Sequence, residues 1–400
     1  MLNFINKKFV GKTFADVCCG IGGFRLALES MGARCVFSSE IDKFARAVYK
    51  ENYGELPSGD ITKIDTKDIP DHDILCVGFP CQPFSISGKQ EGFKDITRGT
   101  IFFDILRIIE DKRPEVVFLE NVANLVSHDN GNTFSIIKNS IEALDYDFHY
   151  AVLNAVDYGV PQSRNRLYMV ALRKDTVVKN FVFPSPFELT KHVEDILEPT
   201  SDIPIEMYVD RTDAVMNDKV ETYINRPIQI GYINKNRQGE RIYSTKGTAI
   251  TLTANGGGKF SKTGGYLIDG KIRKLTPREC ARLMGFPDEF KICESNNQAY
   301  KQFGNSVVVD VIQYILLSIA DAMDEEKENK IENISTLKKE YFNPAENFLE
   351  FFDFLSSFKV VDLLCKIRFV INEAKTRLNN KAPYKTIWWK ATNLIRIKIY

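Results

Sequence analysis

The sequence predicts an α/β protein: a doubly wound, mostly parallel sheet, a smaller β-rich domain, and a helical C-terminal extension. Three observations carry this. Short apolar runs alternate with segments of helical periodicity through the N-terminal region. From about Thr190 the alternation fades, and between Ile228 and Lys274 short β-type pieces are punctuated by GGG and GG. From Asp324 the charged stretch DEEKENKIEN reads as a linker into a last segment of helical pattern.

Each element follows from its residues. KTFADV (Lys12 to Val17) is a buried strand, CGIGG a tight loop, and FRLALESMG a helix that stops at Gly32. RCVFSSE (Arg34 to Glu40) and DKFARAVYKENY form a second strand and helix. DILCVGF and EVVFLENV are strands separated by the helical pattern GTIFFDILRIIEDK, and VPQSRNRLYMV leads into another strand. TAITLTA and GGYLIDG are β-type pieces, TPRECARLMGFP is a capped helix, and KQFGNSVVVDVIQYILLSIADAM is a turn followed by a long apolar helix. The expected domains are 1–190, 191–275, a return segment 276–323 and the extension 324–400. In such a sheet the loops after strand C-termini carry ligand chemistry, which places Gly20, Glu40, Cys81 and Glu120 along one edge.

The chain of 400 residues, 44% hydrophobic and 26% charged, has the composition of a soluble globular protein of two or three folding units. The N-terminus lacks the apolar core of a signal peptide and no apolar run of about 20 residues is evident, so a cytoplasmic protein is expected. Eight cysteines without a CxxC pair and only four histidines indicate neither a disulfide framework nor a metal site. The net charge is zero, yet from Arg226 to Arg282 twelve Lys/Arg face three acids, and residues 366–400 carry nine Lys/Arg against one. Such patches suit a phosphate backbone, although charge runs are more often solvated faces.

Strand, Gly20-Ile21-Gly22-Gly23, then helix lets backbone approach a ligand closely, and Glu40 follows about twenty residues on, where a carboxylate binds ribose hydroxyls. The third glycine of GxGxxG is absent, which disfavours a nicotinamide cofactor. Asp60, in GDI, is a candidate for an adenine amino group, although an acid before an apolar residue is commonplace. In GFPCQPFS, Pro80 and Pro83 hold Cys81 in a rigid, non-helical loop. A buried structural cysteine is the bland alternative to a nucleophile. A thiolate adding to C6 of a cytosine makes C5 nucleophilic, a step eased by an acid at N3. Glu120 is placed to supply that acid, or equally to cap a helix. Arg164 and Arg166 would clamp a base oxygen or a phosphate, or simply pair on the surface.

DVCCGIGGF, GFPCQPFS, ENV, QSRNR and QFGNSV occur in the order and approximate spacing of the DNA cytosine-5 methyltransferases, and the chain resembles that family. GGFRLALES, PDHDILC, SHDNGNT, QGERIYST, PRECAR and QAYKQFGNSVV extend the likeness to one relative over roughly residues 10–315. The resemblance implies an S-adenosylmethionine-dependent methyltransferase fold, a target-recognition domain, double-stranded DNA between them, and an extruded base. It implies Cys81 as nucleophile, Glu120 at N3, Arg166 with Arg164 stabilising the activated ring, and the Pro80 carbonyl at the exocyclic amine. Cys18, Gly20, Ile21, Gly22, Gly23, Glu40, Ile41, Asp60, Ile61, Pro80, Asn305 and Val307 would form the cofactor site. Ser85, Ser87, Lys89, Gln238, Arg241, Tyr243, Thr251 and Gly257 would meet DNA. A GCGC core, a monomer on DNA, and a cognate restriction endonuclease are further expectations.

Two departures stand out. Cys18-Cys19 replaces an aromatic and a small residue, and Ile41 stands where the close relative has tryptophan, so weaker cofactor binding is expected. Three rivals remain. A zinc cytosine deaminase lacks its second cysteine here. A tRNA methyltransferase is disfavoured by the recognition motifs. A catalytically dead DNA-binding module is disfavoured by the presence of nucleophile, acid and arginine.

Overall fold

The computed structural model describes residues 8–80, 101–176, 181–217 and 222–323. The chain runs through β1 (Thr13–Val17), α1 (Gly23–Ser30), β2 (Arg34–Ser39), α2 (Lys43–Tyr53), β3 (Ile74–Gly78), α3 (Ile101–Lys112), β4 (Val116–Val122), α4 (Asn132–Glu142), β5 (Tyr146–Asn154) and β6 (Asn165–Arg173). These strands form one sheet in the order β2-β1-β3-β4-β6-β5. β1 lies parallel to β2 and β3, and β3 to β4, whereas β6 is antiparallel to both β4 and β5. The sheet is therefore mixed, with its parallel half at the N-terminal side.

Both faces are covered, which is why β3 reads as an unbroken apolar run. Phe14, Ile74, Cys76 and Phe118 point into one core with residues of α1, while Ala15, Val17, Leu75 and Val77 point into another with residues of α3 and α4. Local signals fix the helix ends. Asp42 caps α2 by accepting from the Phe44 and Ala45 amides, and Gly54 closes it at φ 75°.

A second sheet holds β7 (Val215–Met216), β8 (Gln229–Tyr232), β9 (Arg241–Tyr243), β10 (Gly265–Ile268) and β11 (Lys271–Lys274) in the order β11-β10-β9-β8-β7. Asp269 and Gly270 turn the β10–β11 hairpin with φ of 50° and 74°, as an Asp-Gly pair favours. TAITLTA does not form the expected strand. Its backbone is claimed by the loop before β6: the Ala249 amide donates to Pro161 O, the Ser163 amide to Ala249 O, and the Leu252 amide to the Gln162 side chain.

The chain closes through α5 (Pro277–Leu283), α6 (Asn296–Asn305) and α7 (Val309–Met323). Contrary to the expectation of no such run, Asn296–Met323 is apolar enough by composition to cross a bilayer, but half of its most apolar window is buried inside the protein. Ile312, Ile315 and Ile319 join the core beside Leu28 of α1. The described residues belong to one compact unit, Met1–Asp324, and the expected helical extension lies outside the described residues. The basic stretch is less free than its charge count suggests. Arg273 is buried with Glu279, Arg278 donates to the Pro287 and Phe290 carbonyls, and Arg282 pairs with Asp288.

Candidate active site

At the C-terminal ends of β1, β2 and β3 a cleft of about 640 Å³ opens, within the range that holds a cofactor and a base. Its floor is the glycine loop. Gly20 sits at φ 54°, where only glycine is at ease, and its amide donates to Glu40 Oε2 at 2.9 Å. Glu40 Oε1 accepts from the Asp42 amide at 2.8 Å, so this carboxylate is held in place at the end of β2 with lone pairs to spare. A Cβ on Gly23 would lie 2.7 Å from Val307 Cγ2, which lets the Asn305–Val307 segment close on the loop.

Cys18, Gly20, Ile21, Gly23, Glu40, Ile41, Ile61, Pro80, Asn305 and Val307 all line the cleft. Gly22 and Asp60 do not. Gly22, at φ 87°, faces Tyr53, whose hydroxyl donates to its carbonyl. Asp60 caps a short turn, accepting from the Thr62 amide and hydroxyl, and lies 3.4 Å from Lys63. Cys18 sits at φ 56° and Ile41 is 71% exposed, so neither supplies the broad wall an aromatic would.

Glu120, Arg164 and Arg166 line the other end. β4 and β6 pair antiparallel, placing Val122 opposite Arg166, so the Arg166 side chain leans back over Glu120 with Nε 3.2 Å from Oε1. Glu120 caps no helix among the described residues. Burial raises its pKa, with Arg166 and Arg164 opposing the shift. Arg164 is buried and its guanidinium is engaged: Nη1 donates to Leu252 O at 2.9 Å, and Nη2 to Gly304 O and Ser306 O at 3.0 and 2.7 Å. Burial and Arg166 push Arg164 down to about 9, which leaves it charged at neutral pH. It joins three segments around the cleft, with both terminal nitrogens spent on backbone carbonyls.

Cys81, Ser85, Ser87 and Lys89 lie outside the described residues. Of the other expected DNA contacts, Gln238 and Gly257 are exposed, and Gly239, the residue after Gln238, packs on Gly257, where an added Cβ would meet the Gly257 carbonyl. Arg241 is half-exposed, and the Thr251 hydroxyl donates to Ser163 O at 2.6 Å. Tyr243 departs from expectation. Its ring packs against Tyr266 and is 5% exposed, because this end of β9 turns into the main core.

Sequence reasoning missed three features. Asp16, on β1 behind the glycine loop, is wholly buried with neither carboxylate oxygen hydrogen-bonded among the described residues. Asp42 pairs with Lys301 at 2.7 Å across the cleft mouth. Asn121 bridges the ends of β4 and β3 through the Phe79 carbonyl, next to Pro80. The one legible signal was a polar residue inside an apolar strand. No group of three or more His, Cys, Asp or Glu able to hold a metal occurs among the described residues.

A mixed α/β sheet with a glycine loop, a carboxylate at the end of the next strand and a buried Glu–Arg pair suits an S-adenosylmethionine-dependent methyltransferase. Solved structures share the fold: a DNMT2 variant from Spodoptera frugiperda at TM-score 0.60 and 20% identity, covering 77% of this chain and 99% of that one, and S. pombe Dnmt2 at 0.58 and 22%, covering 77% and 98%. The chain belongs to the C-5 cytosine-specific DNA methylases, whose family model matches residues 12–321. It is 57% identical over 325 residues to the Type II methyltransferase M.HhaI of Haemophilus parahaemolyticus, covering 81% of this chain and 99% of that protein. It is 44% identical over 321 residues to M.SsoII of Shigella sonnei, covering 77% and 80%. The protein is a DNA cytosine-5 methyltransferase that acts on DNA and uses S-adenosylmethionine.

Proposed function

We propose that this enzyme methylates an extruded cytosine within a GCGC core through Cys81. The observation that carries the site assignment is the Glu120–Arg166 pair, which lines one cleft with Pro80, the residue before Cys81. The Cys81 thiolate bonds to C6, and the electron pair displaced from C5–C6 is accommodated as Glu120 gives a proton to N3. Arg166 holds the base oxygen and Glu120 together, and the Pro80 carbonyl accepts from the exocyclic amine. S-adenosylmethionine supplies an electrophilic methyl on a sulfonium. Loss of the C5 proton to water then lets the Cys81–C6 bond break, which expels the thiolate as N3 returns its proton to Glu120. Glu40 binds the ribose, Ile61 meets the adenine edge on the turn that Asp60 caps, and Asn305 with Val307 closes the pocket.

The β-rich segment 191–275 serves as target-recognition domain between the catalytic region, residues 1–190, and the return segment 276–323. The close approach of Gly239, next to Gln238, to Gly257 supports the two loops meeting DNA together, with Arg241 reading base edges and Ser85, Ser87, Lys89 and Thr251 on the strand. The GCGC core rests on the 57% identity to M.HhaI and on the QGERIYST segment. A monomer in the cytoplasm, paired with a restriction endonuclease, completes the reading. Bisulfite sequencing of DNA from cells expressing the protein tests it. Methylation confined to GCGC is expected, and equal methylation at sites lacking GCGC overturns the specificity.

A further inference from the structure

We propose that Lys301 and Asp42 form a gate on cofactor exchange: their ion pair bars the cleft mouth, slowing S-adenosylmethionine on its way in and out without binding it. The inference rests on the reading of this cleft as the cofactor site. One wall is the glycine loop with the end of β2 and the start of α2; the other is α6 with the Asn305–Val307 segment. Away from the mouth these parts are joined by packing and backbone hydrogen bonds. Gly23 packs on Val307, and Asn52, near the end of α2, exchanges two hydrogen bonds with the backbone of Lys291, ahead of α6, at 3.0 and 2.8 Å. At the mouth the walls meet through charge instead, with Lys301 Nζ 2.7 Å from Asp42 Oδ2.

Asp42 is the fixed post. Its Oδ1 accepts from the Phe44 and Ala45 amides at the start of α2, and its own amide donates to Glu40 Oε1, which leaves Oδ2 for Lys301. Lys301 is the moving bar, a long flexible stem whose side chain is 41% exposed against 28% for Asp42. Burial works against the Asp42 charge, but Lys301 and the Ala45 and Phe44 amides hold its carboxyl below the usual range, so the pair is charged at neutral pH. A half-exposed pair of this kind is closed only a few times more often than it is open, and salt weakens it. With both Asp42 oxygens engaged and the Lys301 charge matched, neither side chain is a ligand of the cofactor. A contact that is the same in the free and the loaded protein shifts no binding equilibrium, yet it must break for each passage.

In the full chain, Lys301→Met keeps the stem and removes the charge, while Asp42→Asn removes the charge and keeps the helix cap, since asparagine caps as well as aspartate. Stopped-flow binding of S-adenosylmethionine gives kon and koff, and equilibrium dialysis gives Kd. We expect both rates to rise together by about 2- to 5-fold in each variant, Kd to stay within about twofold of wild type, and the difference from wild type to shrink as salt is raised from about 0.05 to about 0.5 M. S-adenosylmethionine carries a net positive charge, so a plain charge effect would move kon in opposite directions in the two variants, and a structural loss would weaken Kd. Either result overturns the inference, as do unchanged rates. Glu40→Ala run alongside separates the two readings. If it leaves Kd unchanged, the cleft does not hold the cofactor and the inference falls with that reading; if it weakens Kd while the Lys301 and Asp42 variants exchange cofactor at the wild-type rate, only the gate fails.

Discussion

Arg166 Nε lies 3.2 Å from Glu120 Oε1, with the acid buried and the arginine reaching it from the neighbouring antiparallel strand. Burial raises the Glu120 pKa while the two arginines hold it back, so the carboxyl keeps its proton to a higher pH than an ordinary glutamate. An acid acting at N3 is active in its protonated form. The rate should therefore decline as pH rises through that raised pKa, and Arg166→Ala, which removes the largest opposing charge, should move the decline to higher pH. Glu120→Gln should lower kcat by about 10²- to 10⁴-fold and abolish this limb of the profile. Single-turnover pH profiles of the three proteins check both statements.

Much of this was legible because it is local. The strands KTFADV, RCVFSSE and EVVFLENV declare themselves by apolar runs, and the glycine loop by residues that tolerate positive φ. Strand-to-helix alternation then dictates that Gly20, Glu40 and Glu120 share one edge, and they line one cleft. What stayed hidden depends on long-range partners. TAITLTA has strand composition, but its hydrogen bonds go to Pro161, Gln162 and Ser163, some ninety residues earlier. Arg164 looked like a partner of Arg166 until its three carbonyl acceptors, on segments 88 to 142 residues away, were in place. Tyr243 and Arg273 read as surface residues because burial on a short strand is set by what packs over it.

The cofactor wall offers a gain-of-affinity test. Ile41 lines the cleft yet is 71% exposed, leaving apolar surface that a larger flat ring would cover more fully. Ile41→Trp should tighten S-adenosylmethionine binding by about 2- to 10-fold, the range expected of about 0.5–1.5 kcal/mol from aromatic stacking. Cys18→Phe should gain less, because at φ 56° a bulky side chain is strained. Equilibrium dialysis against wild type decides. Unchanged or weaker binding by the tryptophan variant would mean that the adenine does not meet this wall.

Asp16 makes stability depend on pH. Burial raises its pKa to about 8; Arg25 opposes the shift and Glu40 and Glu29 add to it, within a shell of Cys18, Cys19, Cys35, Cys76, Tyr49 and Tyr53. The folded state thus retains a proton that the unfolded chain has lost above about pH 4. Its contribution to stability is complete at low pH and falls as pH rises to about 8, at a limiting slope of about 1.4 kcal/mol per pH unit. Asn at this position stays neutral throughout. Urea midpoints of Asp16→Asn should vary less between pH 5 and 8 than those of wild type, and should exceed them at pH 8. Parallel curves would mean that Asp16 is ionised in the fold.

The Arg273–Glu279 pair joins the second sheet to α5. Both side chains are at most 1% exposed, and the contact is bidentate at 2.8 and 2.7 Å. Glu279 also accepts from the Thr276 amide at 2.8 Å and the Glu198 amide at 3.0 Å, so one carboxylate caps the helix and ties in the preceding segment. Removing it leaves a guanidinium buried without a counter-charge, since Arg273 Nε already lacks a partner among the described residues. Glu279→Ala should therefore cost about 3–5 kcal/mol, seen as a lower urea midpoint at unchanged slope. The double change Arg273→Met with Glu279→Leu should cost less than the single one, because it removes the stranded charge along with its partner. If the double variant is instead the weaker, the amides of Thr276 and Glu198 matter more than the ion pair, and α5 is held chiefly by its cap.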